Sequence, residues 1–339
     1  MEITKLTRQI HDSLDCHDPE IIISKFKFEN LIENELLFFF KPECFFSNEE
    51  TQIKAIIEMV LRKFKTFKVD IAGMLLLGGK RIAQLSIMDR HYGFINKLSK
   101  CAGKILTEKD IEKIQLSLGH GGLSGLEKYT ILGGHEFLEK YPEFDEQKLN
   151  EFWLAKHSLK LRSGFYFQEY EINKQPIILI NGFHPFQLRH FTNPHHKIVV
   201  LLLKSDTDWK ILKNDLAGDT FPEKAKENSI RGDIFRNSSK YGIKDISISR
   251  NCVHLSAGPF EALFEIDNFL KNIREVRFEL EQTNIARLME QHGFKKEEIE
   301  QCLANPTAQF DSKLIDLFTF TEEKNSREAI SEYQKYFRK

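Results

Sequence analysis

The sequence predicts a mixed α/β (α+β) protein, on three observations. Short apolar runs that end at proline or glycine read as strands. Between them lie segments whose apolar residues return every three or four positions, as on one face of a helix. Beyond Asn272 the helical pattern is almost continuous.

The first strand is Glu35–Phe40, a continuous apolar run suited to a strand buried on both faces and stopped by Pro42. A helix follows from Asn48, with Ile53, Ile56, Ile57, Val60, Leu61 and Phe64 on one face and Ser47 and Asn48 as capping candidates. Phe67–Leu77 reads as a second strand closed by Gly78-Gly79, and Arg81–Leu98 as a helix. The stretch 100–183 breaks this rhythm. It carries a helical segment (Glu108–Leu118), the glycine-rich Gly119-His-Gly-Gly-Leu-Ser-Gly125 and an aromatic strand-like run, Phe165–Tyr170. Lys197–Lys204 is a further central-strand candidate, and Ile243–Ser249 alternates as a half-covered strand would. A helix is expected from Pro259, since proline suits the first helical position and Gly258 can precede it. Gly293 and Pro306 punctuate the helical segments that remain.

The 339 residues can bury a substantial core, being 41% hydrophobic and 29% charged. Forty-nine basic residues against fifty acidic ones argue against a general nucleic-acid binder. The apolar runs fall far short of the ~18 residues a membrane helix needs. The opening Met-Glu-Ile-Thr-Lys has no basic segment followed by an apolar one. Five scattered cysteines without a CxxC pair suit free thiols, so a cytoplasmic protein without membrane or nucleic-acid partners is expected.

The chemistry is concentrated in Thr220-Phe-Pro-Glu-Lys-Ala-Lys-Glu-Asn-Ser-Ile-Arg-Gly-Asp233 and Arg250-Asn-Cys-Val-His-Leu-Ser256. In order, and after the Phe-Phe-Phe-Lys41-Pro42 strand and His91-Tyr92, these segments resemble the nucleoside diphosphate kinase family. The family pattern has T-x-P-x-x-A, then I-R-G-D, then R-N-x-x-H-x-S ahead of a helix. The resemblance covers 35–98 and 184–271. It implies a ferredoxin-like antiparallel sheet with packed helices, a nucleoside diphosphate kinase-like core. Outside that core lie an N-terminal extension (1–34), an inserted lid or subdomain (99–183) and a C-terminal helical appendage (272–339).

Carried over by position, the resemblance makes His254 the nucleophile that relays a phosphoryl group, Glu265 the holder of its other ring nitrogen and Asn251 an orienting residue. It implies nucleotide and phosphate contacts from Lys41, Tyr92, Thr220 and Arg231. Phe186 would stack the base, with Ile248 as its apolar partner and His184 at the position of a family arginine. It also implies Mg²⁺ carried on phosphate oxygens rather than by a protein metal site, with ATP or another NTP as substrate. The family assembles as hexamers or tetramers; the insertion would block those contacts, and a dimer is expected instead. The residues themselves suit the role. A neutral histidine is a good nucleophile near its ordinary pKa, a carboxylate on one ring nitrogen fixes the tautomer, and a helix start favours an anion beside it.

The chain also departs from the pattern. Asn214 stands where one phosphate-binding arginine belongs, His184-Pro185-Phe186 replaces arginine-proline-phenylalanine, and Leu255 and Ala257 replace a glycine and an aspartate. Arg189, Arg236 or the insertion could supply replacements. Three readings therefore remain open: a γ-phosphotransferase acting through phospho-His254, a nucleotidyl transferase on the same scaffold, or a catalytically decayed nucleotide-binding module. The glycine-rich patch lacks the GK[ST] ending of a P-loop and reads as a turn. His184, His190, His195 and His196 lack carboxylate or cysteine companions at ligand spacing and read as surface histidines.

Overall fold

The structure, a computed structural model, describes residues 3–119, 128–162, 164–310 and 313–338. It divides into two compact units, Met1–Leu85 with Pro194–Lys339, and Ser86–Asn193. The strands in chain order are β1 (Glu20–Ser24), β2 (Asn34–Phe40), β3 (Asp70–Gly78), β4 (Thr130–Gly133), β5 (Leu159–Arg162), β6 (Phe165–Ile172), β7 (Gln175–Ile180), β8 (Lys197–Ser205), β9 (Val253–Leu255), β10 (Thr307–Phe310) and β11 (Lys313–Asp316).

The first unit is built on a sheet of order β1-β3-β8-β2-β9 with every neighbouring pair antiparallel. Strand β2 is buried along its whole length because both its faces are covered, as its unbroken apolar run requires. Leu36, Phe38 and Phe40 enter a core with Leu6 and Ile10 of the helix Ile3–Leu14 and with Ile57, Leu61 and Phe64 of the helix Glu50–Thr66. Phe39 faces the opposite way and meets Phe269 of the helix Pro259–Leu270 at 5.5 Å between ring centroids. In the β2–β9 ladder Phe39 stands opposite His254. Val253 and Leu255 join the first core, so the two-residue period of a strand turns His254 toward the Pro259 helix.

That helix begins where the sequence places it, with Gly258 as the extended residue before Pro259. Its outer side, through Phe260 and Leu263, packs with Ile285, Leu288, Met289, Ile330 and Tyr333 of the C-terminal region. The helix is thus covered on two sides, and most of its residues are buried.

The second unit holds a sheet of order β4-β7-β6-β5, in which β4 and β7 run parallel and the other pairs antiparallel. Ile178 and Ile180 of β7 pack with Phe165, Phe167, Leu98 and Ile114. Ile177 and Leu179 point the other way, to Phe137, Leu149 and Trp153. The helix Glu108–Ser117 carries a capping box between Thr107 and Asp110.

Several expectations are corrected. The segment 1–34 is not wholly outside the core sheet, since β1 forms its edge against β3. Ile243–Ser249 is a loop: Gly242 and Asp245 have φ of 65° and 55°, and the Ser247 amide turns back to the Arg250 carbonyl. The alternation there reflects Ile243 and Ile246 packing on the core while Ile248 stays exposed, with no strand pairing behind it. The helix expected over 81–98 is broken into Gly79–Gln84, Ile87–His91 and Gly93–Ile105, with Ser86 left-handed at φ 51°. The C-terminal region includes the antiparallel strand pair β10–β11 as well as helices. Except for Gly119, the glycine-rich patch lies outside the described residues. All five cysteines are free thiols. Among the described residues, no helix is long and apolar enough to cross a membrane.

Candidate active site

Strand β9 and the start of the Pro259 helix set the centre of the site. His254 lies on the central position of β9, its ring stacked on Phe39 at 4.6 Å, and 19% of its side chain is exposed. In the first turn of the helix lies Glu261, and one turn further on lies Glu265, which reaches back to the strand. Oε1 of Glu265 lies 2.6 Å from Nε2 of His254, and its Oε2 accepts the Ser256 hydroxyl at 2.5 Å. Ser256 also bonds the backbone of Leu37, tying the carboxylate to β2. Glu265 is fully buried, so it is not part of a solvated helix face. Glu261 accepts the Ala257 amide at 2.6 Å; burial, then the nearby Glu265 charge, pushes its pKa up to about 8.

Two cations approach from other elements. Lys41 ends β2 and is buried, with Nζ donating to Asn251 Oδ1 at 2.6 Å and to the Ser249 carbonyl at 3.2 Å. Burial lowers its pKa to about 8, opposed chiefly by the Glu43 carboxylate. Arg231, from the helix Ile230–Arg236, donates to the carbonyls of Gly218 at 2.7 Å and Val253 at 3.0 Å. Its Nε is buried without a hydrogen-bond partner among the described residues. Burial lowers the Arg231 pKa to about 10, which leaves it charged at neutral pH. His254 responds to both. Burial first, then the charges of Lys41 and Arg231, hold its pKa well below the ordinary histidine value. The ring is therefore neutral near pH 7, and an Nε2–H given to Glu265 puts its lone pair on Nδ1.

Asn251 joins two loops. Its Oδ1 takes Lys41, and its Nδ2 donates to the Thr220 carbonyl at 3.1 Å. Thr220 therefore enters through its backbone while its side chain is exposed. Ile248, 50% exposed, sits on the loop leading to Asn251.

The other expected site residues belong to the second unit. Tyr92 lies between the helices Ile87–His91 and Gly93–Ile105, edge-on to His184 at 5.8 Å. Phe186 is half-buried on the helix His184–Thr192. His184 is fully enclosed. Its Nδ1 lies 3.1 Å from Gln187 Oε1 and its Nε2 3.4 Å from Asn96 Oδ1. Burial, against the Gln187 bond, lowers its pKa to about 4. It is neutral and brings no positive charge in place of an arginine. His190 is likewise buried, so the surface reading of these histidines holds for exposed His195 but not for His184 or His190.

The candidate replacement arginines are engaged elsewhere: Arg189 pairs with Glu146, and Arg236 bonds the carbonyls of Gly232 and Ala225. Asn214 donates to Glu323, whose amide bonds the Ala257 carbonyl. Glu43 is not singled out by the sequence, and Glu261 shows there only as an acid four residues before Glu265, as on one helix face. Glu43 had one signal, its place directly after Lys41-Pro42.

Among solved structures, the chain is similar to a nucleoside diphosphate kinase from Encephalitozoon cuniculi, at 13% identity over 72% of this chain and 94% of that chain, with a TM-score of 0.34. It is also similar to an NDP kinase from Pyrobaculum aerophilum, at 18% identity over 71% of this chain and 97% of that chain, with a TM-score of 0.33. No family model matches the chain, and no curated protein sequence does.

Proposed function

We propose that the protein is a phosphotransferase that moves the γ-phosphate of a nucleoside triphosphate through His254 to a nucleotide or related acceptor. The observation that carries this reading is the pair His254–Glu265, an imidazole held by a buried carboxylate at 2.6 Å. Phosphoryl transfer asks for little else than a positioned nucleophile and charge around the transferred group.

In the first half-reaction the Nδ1 lone pair attacks the γ-phosphorus. The bond from that phosphorus to the bridging oxygen breaks, and the diphosphate leaves with the electron pair. In the second, a terminal oxygen of the acceptor attacks the phosphohistidine, and the P–N electrons return to Nδ1. Glu265 keeps the proton on Nε2 through both halves and offsets the positive charge that develops on the ring. Lys41 and Arg231 would supply the positive charge around the phosphate oxygens, and exposed Ile248 offers apolar surface for the base. Lysine and arginine side chains suit phosphate oxygens rather than a metal ion, so a Mg²⁺ ion would be carried on phosphate oxygens and water. Bound there, the ion would offset charge on the triphosphate.

Incubation with γ-labelled ATP and Mg²⁺ is expected to leave acid-labile label on the wild type and none on His254→Ala. A nucleoside diphosphate should discharge it. Equal labelling of both proteins, or label retained only from the α position, overturns the proposal.

A further inference from the structure

The turn that precedes β9 is held in a way this reaction scheme does not use. Cys252 lies between Asn251, which grips Lys41, and Val253-His254. Its backbone is left-handed at φ 70°, a conformation that a residue with a Cβ rarely adopts and that its surroundings must enforce. Lys41 and the short helical turn Pro42–Phe45 that follows it enforce it from three points. The Lys41 amide donates to the Cys252 carbonyl at 2.8 Å, and the Cys44 thiol approaches the same carbonyl at 3.1 Å. Oε1 of Glu43 accepts the Cys252 amide at 2.8 Å. Glu43 is only 3% exposed, and a carboxylate taken that far from water needs compensation. The Cys252 amide supplies part of it, and the Lys41 ammonium, two residues back along the chain, is a cation whose charge it favours.

We infer that Glu43 is a positioning residue for this site: its buried carboxylate fixes the left-handed turn that sets Asn251 and His254, and it supplies the counter-charge of Lys41. The inference rests on the phosphotransfer reading for its functional consequence, while its electrostatic part concerns Lys41 alone. Among the groups that act on Lys41 are Glu43, Arg231, Cys252 and Cys44, and His254 feels its charge in turn. Glu43 is the first-ranked charge that favours the ammonium, whereas burial and Arg231 oppose it. Glu43→Gln keeps a carbonyl acceptor for the Cys252 amide but removes the charge. Lys41 should then lose its proton at lower pH.

The test follows lysine side-chain resonances by NMR in uniformly ¹³C-labelled protein, with Lys41→Arg assigning the Lys41 signal. Glu43→Gln is expected to move the Lys41 midpoint to lower pH, while Glu43→Asp, which keeps the charge, holds it near the wild type. The same midpoint in Glu43→Gln and the wild type overturns the inference. Binding of MgADP supplies the functional readout. It should be roughly tenfold weaker in Glu43→Gln at pH 8, where Lys41 is neutralised, and within about twofold of the wild type at pH 6, where it is protonated in both. An equal loss at both pH values would mark a purely structural role and overturn the electrostatic part. A wild type that binds no MgADP sinks the phosphotransfer reading alone, because the Lys41 midpoint still decides the role of Glu43.

Discussion

The carboxylate of Glu265 bridges a side chain of strand β9 and the residue just beyond its end, taking Nε2 of His254 on one oxygen and the Ser256 hydroxyl on the other. It therefore fixes which nitrogen of the ring carries the proton. Glu265→Gln preserves the shape but replaces a charge-assisted acceptor with an amide that can also donate, which permits the wrong tautomer. The expected result is a fall of about a hundredfold in the phosphotransfer rate, with MgADP affinity changed by less than about threefold. Single-turnover kinetics beside equilibrium binding separate the two. A rate within a few-fold of the wild type would remove Glu265 from the mechanism.

Arg231 joins the Gly218 turn to β9 through two carbonyls, a geometry that needs a planar fork. Lysine can reach only one of them with comparable geometry. Arg231→Lys should lose about 1–3 kcal/mol of stability in urea denaturation, because a buried carbonyl loses its charged donor. It should also weaken MgADP binding. A stable variant with unaltered binding would show that the fork is dispensable.

What the sequence made legible, and what it did not, follows from the range of the interactions. The step from His254 to Glu265 is local: a strand end, a glycine, a proline and two helical turns fix it, and each has a sequence signature. The buried β2 is legible for a similar reason, since its five covered positions Leu36–Phe40 form an apolar run, while buried Asn34 and Glu35 carry no such signal. Strand β1 is not. Its Ile21–Ile23 is brief, and its assignment depends on β3 offering a free edge, which is tertiary information. Ile243–Ser249 misled because alternation records which side chains are covered, and a loop over a core covers them as a strand does. His184 was placed by its neighbours Pro185 and Phe186, yet nothing local reveals that Asn96 and Gln187 enclose it.

His184 also gives the protein an acid sensitivity. Its pKa falls from an ordinary 6.5 to about 4 in the folded chain, and that of His135 falls similarly. Burial is the first cause in both. The unfolded chain thus takes up protons near pH 6.5 that the folded chain refuses. Stability is complete above that pH and is lost as pH falls toward 4. For His184 the loss should reach about 2–4 kcal/mol when the window has been crossed. Urea midpoints between pH 7 and pH 5 should fall in the wild type and fall less steeply in His184→Gln, with His135 and His254 accounting for what remains. Parallel slopes in the two proteins would mean that His184 is protonated in the folded state.

Gly258 stands at another constrained point, and its backbone dihedrals are not the reason, since φ of −164° is ordinary extended chain. The reason is contact. A Cβ there would lie 2.7 Å from the Thr321 carbonyl oxygen and 3.1 Å from the Glu322 Cα, both backbone atoms that cannot rotate away. The same C-terminal stretch donates the Glu323 amide to the Ala257 carbonyl and ties Lys213 and Asn214 through Glu323. Gly258→Ala must therefore displace 321–323 or the start of the helix that carries Glu265. It should cost about 1–3 kcal/mol in urea denaturation. Displacement of the C-terminal segment would speed proteolysis near Glu322 and Glu323 and leave the His254 labelling rate close to normal; a shifted helix start would lower that rate instead. An unchanged urea midpoint would place Thr321 and Glu322 somewhere other than against Gly258.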